Sequence, residues 1–87
     1  MDDRIQRIAD MEARLDRVTR WLEKGEGDVS EDVRLLDAYL QSPLWLEDFE
    51  ADEAGLLPAG LPRGVLSEDA IYNSISEYEE SLRETSP

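Results

Sequence analysis

The chain contains no cysteine and no histidine. Those two absences exclude thiol nucleophiles, disulfides, phosphohistidine relays and ordinary zinc sites, all of which need one of these side chains. The lack of cysteine suits a reducing cytoplasm. Long apolar runs are missing as well: none approaches the roughly 20 residues of a membrane span. The opening MDDRIQRIAD has no continuous apolar stretch of the kind a secretory signal carries. A cytoplasmic protein with no membrane attachment is the expectation. Bases are also scarce, 9 against 22 acids, for a formal net charge of −13.

What is present reads as globular. At 87 residues the chain is expected to form a single domain over 1–87, with a frayed tail at about 85–87. A chain of this size buries only about 60% of its unfolded surface, so each large apolar residue matters. Hydrophobic residues make up 40% and charged residues 36%, and the apolar ones recur with a clear period.

The charge is unevenly spread. Residues 1–24 hold six acids and six bases, whereas residues 25–87 hold sixteen acids and only three bases, Arg34, Arg63 and Arg83. A direct nucleic-acid binder is expected to show the opposite sign. Self-repulsion within the acidic part should leave a signature in solution. The melting temperature is expected to rise between low and moderate salt, and an unchanged or falling value would count against it.

Helical periodicity dominates. Ile5, Ile8, Met11, Leu15, Val18 and Leu22 are spaced by three or four residues, which predicts a helix from about Asp3 to Lys24, capped by Asp2 or Asp3. Arg7, Arg14, Arg17, Arg20 and Lys24 fall on one flank of that stripe, and Glu12, Asp16 and Glu23 on the other. Trp21 borders the basic flank, and Gly25 and Gly27 end the helix. Asp28, Ser30 and a capping-box-like Glu31 predict the start of a second helix, with Val33, Leu36 and Leu40 as its apolar line. Ser42-Pro43 breaks or restarts it, and a short third helix runs from Pro43 to Ala54.

Residues 55–66, GLLPAGLPRGVL, cannot be one continuous helix. They read as a strap whose apolar side chains, with Trp45 and Phe49, close a small core. Ser67 then caps a last helix, in which Ile71, Ile75, Tyr78 and Leu82 form a stripe. No strand signal or internal repeat emerges. The predicted fold is an all-α bundle of three principal helices, with a short helix and an irregular Pro/Gly-rich strap before the last one.

Several residues carry a family resemblance: Tyr39, Ser42, Trp45, Asp48, the Asp52-Glu53-Ala54-Gly55 run, Leu57-Pro58, Leu61 and above all RGVLSED at 63–69. Together with Arg7-Ile8, Met11-Glu12 and Leu15-Asp16, they make the chain resemble an uncharacterised bacterial family, domain-of-unknown-function family 4298. The sequence departs from that family at Leu40, where a second aromatic is usual, and at Pro62, where a lysine is usual. The resemblance implies a small helical fold and supplies no activity.

Three groups of residues are candidates for function. Glu47, Asp48, Glu50, Asp52 and Glu53 make an acidic surface that either solvates the helix or mimics nucleic acid; their angular scatter favours solvation. Asp48-x-Glu50-x-Asp52 starts like a calcium loop, but Glu53 stands where glycine is needed and Ala59 where a bidentate acid is needed. Arg7, Arg14, Arg17, Arg20 and Lys24, with Trp21, form the candidate contact surface. They could pair internally with later acids, meet an acidic partner, or support a homodimer through the apolar stripe. Trp45, Arg63, Val65, Leu66 and Ser67 form a structural clasp, with Asp48 or Asp52 as partner for Arg63; anion capture near Ser67 is the alternative.

No cleft-building feature supports carboxylate catalysis, and no metal or cofactor is expected. The functional expectation is a small acidic interaction or regulatory module with an unidentified protein partner. The alternative is a nucleic-acid-mimic inhibitor, such as a phage-encoded anti-defence protein.

Overall fold

Four α-helices and one 3₁₀ turn follow one another in this computed structural model: α1 (Asp3–Lys24), α2 (Ser30–Gln41), α3 (Pro43–Glu53), the turn Gly64–Leu66, and α4 (Glu68–Glu84). The structure describes residues 3–84. The proposed Asp2 cap and the tail at 85–87 lie outside the described residues. Among the described residues there is no strand.

α1 is the spine, 22 residues and so about 33 Å long. Of its predicted stripe, Ile8, Leu15 and Val18 are buried, and Ile5, Met11 and Leu22 are partly so. α1 packs on α2, α4 and the 3₁₀ turn, and α2 packs on α3 and α4. The core joins Ile8 and Val18 to Leu36 of α2, Val65 of the turn and Ile71 of α4, all without solvent exposure. Each such side chain contributes about 1.5–3 kcal/mol on removal from water, an upper bound for a chain this small. On α4 the stripe dissolves toward the end: Ile75 and Tyr78 are partly buried and Leu82 is exposed.

The helix ends explain the chain's turns. Gly25 takes a φ of 70°, and its N–H donates to the Trp21 carbonyl. α2 departs from the predicted capping box: Asp28 Oδ1 accepts the Ser30 N–H at 2.9 Å, but Glu31 is drawn instead to Arg34. Buried Val29 precedes the helix and anchors it. Pro43 opens α3, where its missing N–H costs nothing. α3 closes with Gly55 at φ 73°, its N–H on the Asp52 carbonyl, while the Leu56 N–H reaches the Ala51 carbonyl. Ser67 Oγ accepts the Ala70 N–H at 3.3 Å and caps α4.

The strap closes the core only in part. Leu57, Val65 and Leu66 are buried and Leu61 partly so, but Leu56 is 67% exposed. Leu56 is the residue just past the glycine that caps α3, and its N–H is bound to the Ala51 carbonyl.

Candidate functional site

Three members of the basic flank of α1, Arg7, Arg14 and Arg17, pair internally with acids of later helices, one of the uses open to it, while Arg17, Arg20 and Lys24 remain exposed. Arg7 grips Asp48 with two nitrogens, Nε at 2.9 Å from Oδ2 and Nη2 at 2.5 Å from Oδ1. Arg4 Nε lies 3.5 Å from the same carboxylate, and the Tyr39 hydroxyl donates to its Oδ2 at 2.7 Å. Asp48 itself is fully buried. It therefore does not belong to the acidic surface: it stands one turn from Trp45 and one from Ala51, both buried, on the inner line of α3. A buried carboxylate holding two guanidiniums and a phenol is a clasp between α1, α2 and α3. The hydrogen bond to Asp48 raises the Arg7 pKa above its ordinary value. Burial first, and then Asp48, push the Tyr39 phenol far above its usual range, so it stays neutral.

A second clasp lies two turns further along α1. Asp32, a buried acid of α2, receives Arg17 Nε at 3.0 Å, Arg17 Nη2 at 2.9 Å and Arg14 Nη1 at 3.0 Å. The Arg17 hydrogen bonds hold the Asp32 carboxyl below the usual carboxylate range, against the opposing effect of burial. A carboxyl depressed in the folded state stabilises above its unfolded pKa of about 3.9 and loses that contribution as pH falls through the folded value. The stability gap between the wild type and Asp32→Asn should accordingly be widest near neutrality and narrow in acid below about pH 4. Chemical denaturation at each pH measures it; a gap independent of pH would show that Asp32 is not held in this way.

Arg63 selects Asp52, not Asp48, with Nε 2.5 Å from Oδ1. Asp48 is already filled by α1. The other end of Arg63 donates to the Pro58 carbonyl at 2.9 Å, so one side chain ties the strap to itself and to α3. Trp45 completes the clasp: its indole Nε1 donates to the Val65 carbonyl at 2.9 Å, and its ring stacks on Phe49 at 5.3 Å.

Glu12 is the residue that sequence reasoning missed. Its Oε2 accepts the Val65 N–H at 3.0 Å, capping the 3₁₀ turn from α1. A Cβ added at Gly64 would meet Glu12 Oε1 at 2.7 Å, so a larger residue there would have to displace the Glu12 carboxylate that holds the Val65 N–H.

The rest of the basic flank lies at the far end of α1. Arg20 pairs with Asp16, and Lys24 is exposed. Trp21 packs on Tyr78 with ring centroids 5.0 Å apart and donates to the Gly27 carbonyl at 3.1 Å. A hollow of about 320 Å³ lies here, but Glu26 and Asp28 line it too, and it sits at the negative pole of α1. An anion finds little there.

The acidic surface of α3 reduces to Glu47, Glu50 and Glu53, all exposed, with Asp52 half-buried under Arg63. Asp48, Glu50 and Asp52 lie on a helix and point in different directions, so they do not form the start of a calcium loop. Among the described residues no group of three or more acids could hold a metal ion. No described helix is long and apolar enough to cross a membrane.

A groove of about 460 Å³ opens between α3 and the start of α4. Trp45, Phe49 and Leu66 form its floor, Leu46 stands at 51% exposure on one lip, and Ser67, Glu68 and Asp69 make the other. Glu50 lines a separate hollow with Arg4, Glu47, Ala51, Ala54 and Leu56.

Fold and clasps together define a small all-α protein whose interior is pinned by ion pairs and whose exterior is acidic. The chain belongs to the family described as Domain of unknown function (DUF4298), which it matches over residues 3–85, nearly its whole length. No curated protein and no solved structure matches it.

Proposed function

We propose that the chain is a non-catalytic interaction module that works in the cytoplasm by holding a partner protein against its acidic exterior. The observation that carries this reading is the fate of the arginines. Arg7, Arg14, Arg17 and Arg63 are held by Asp48, Asp32 and Asp52, so the outward charge is dominated by carboxylate. Leu44, Leu46, Leu56 and Tyr72 are exposed among those acids, giving apolar contact area as well as charge.

Catalysis finds no support in the clasps. Asp32 is held ionised, the reverse of a carboxyl tuned to exchange protons near neutrality. The nucleic-acid-mimic reading is weaker than it was from sequence, because Asp48 and Asp52 are bound to arginines and drop out of the charge array. A net charge of −13 also opposes a homodimer across the acidic face.

Affinity capture from a host extract tests the reading, with the wild type and Leu46→Glu side by side at low and moderate salt. A protein retained at moderate salt and indifferent to added DNA supports it. Retention of a nucleic-acid enzyme that DNA competes away would favour the mimic, and retention of nothing would contradict a binding role.

A further inference from the structure

The strap is fastened to the bundle at two places of different character. At Val65 the hold is buried: the N–H donates to Glu12, the carbonyl accepts the Trp45 indole, and the side chain has no solvent exposure. Upstream the hold is thin. Between Leu57 and Pro62 the one backbone–backbone hydrogen bond runs from the Leu61 N–H to the Pro58 carbonyl, and Leu57 is the one buried side chain. Arg63 supplies the charged contact, its Nε on Asp52, with 35% of its own side chain and 29% of its partner's in water. Its bond to the Pro58 carbonyl lies within the strap, so its grip on a helix is Asp52.

A segment with so few inward contacts opens at a lower free energy than the helices beneath it. Gly55, at φ 73°, and Gly60 lack the side chain that would restrict their turning. We propose that residues 56–63 form a latch that opens and recloses while the four helices and the Gly64–Leu66 turn stay folded, with Arg63 on Asp52 as its catch. Opening lifts Leu57 out of the core and parts the two charges. The latch gives the bundle a second folded state, whose population follows the ionic conditions around it.

Ionic strength distinguishes opening from unfolding. Residues 56–63 carry one charge, Arg63, and no acid. Closing therefore brings a lone positive charge onto α3, at Asp52 and the Glu53 that follows it, and salt weakens that attraction. Salt also eases the repulsion among the remaining acids, which stabilises the bundle as a whole. Opening is thus expected to increase with salt under conditions where the melting temperature rises.

Thiol labelling of single-cysteine variants tests the latch, since the chain has no cysteine of its own. Leu57→Cys places a thiol under the latch, and Val65→Cys places one at the buried hold. Leu61→Cys replaces the first probe should Leu57→Cys lose its helical circular-dichroism signal. The reagent is an uncharged disulfide, and each rate is divided by that of the same variant unfolded in urea. Leu57→Cys is expected to label at least about ten-fold faster than Val65→Cys, with a weak urea dependence because opening exposes little surface. Its rate should rise about two-fold between low and moderate salt. Asp52→Asn and Arg63→Gln should each raise it about two- to five-fold, the size of a part-exposed ion pair, and remove the salt response.

Equal rates at 57 and 65, with the same steep urea dependence, would mean that strap and helices open only together. Labelling slowed by salt, or unmoved by both Asp52→Asn and Arg63→Gln, would deny Arg63 the role of catch. Either result overturns the latch.

Discussion

Replacing Asp48 by alanine is expected to destabilise the protein by about 3–5 kcal/mol, more than any other single substitution of a charged residue. The substitution removes the acceptor for two Arg7 nitrogens and the Tyr39 hydroxyl, and the charge beside Arg4, at a site with no solvent exposure. Arg7 is partly exposed and can recover some hydration, which places the loss toward the lower end of that range. In a chain of this length each kcal/mol moves the melting temperature by about 4–8 °C, so a fall of more than about 10 °C is expected. Tyr39→Phe is the control: it removes one hydrogen bond, leaves the ion pairs, and should cost about 1 kcal/mol. Equal losses for the two variants would mean that the ion pairs contribute nothing.

Trp45→Ala is expected to cost a comparable 3–5 kcal/mol by a different route. The indole is buried, stacks on Phe49, and donates to the Val65 carbonyl inside the turn that closes the core. Alanine leaves a cavity and an unanswered carbonyl together. Trp45→Phe keeps most of the volume and loses the donor, so its cost should be less than half as large. Amide hydrogen exchange locates the effect. Protection should fall first between residues 57 and 66, because that segment is held by Glu12 and Trp45 at Val65 and by Arg63 at Pro58. Loss of protection spread evenly over all four helices would instead mean that the strap has no stability of its own to lose.

Much of this architecture is legible in the sequence because the relevant forces are local. The α1 stripe, the Pro43 restart, Gly25 and Gly55 at helix ends and the Ser67 cap each follow from neighbours within about four residues. Asp48 was not legible, since an acid within Glu47–Glu53 resembles a solvated face. The available signal was its place one turn from Trp45 and one from Ala51. That signal is faint because Leu44, Trp45, Leu46 and Phe49 surround most of α3 and mark no single inner face. Glu12 was beyond reach for another reason: its partner Val65 is 53 residues away, and only the packing of α1 on the turn brings them together. Arg63 pairs with Asp52 while Arg7 takes Asp48, a division that residue spacing alone does not decide.

These dependencies make α1 the centre of the account. Its Arg7, Arg14 and Arg17 fasten it to the buried acids of α2 and α3.

A double-mutant cycle on Arg7 and Asp48, read by urea denaturation, tests this most directly. With Arg7→Met and Asp48→Asn singly and combined, a coupling of about 2 kcal/mol or more is predicted for a pair enclosed in this way. A coupling under about 0.5 kcal/mol, the size seen for exposed ion pairs, would place Arg7 and its neighbours back on the surface as a contact face.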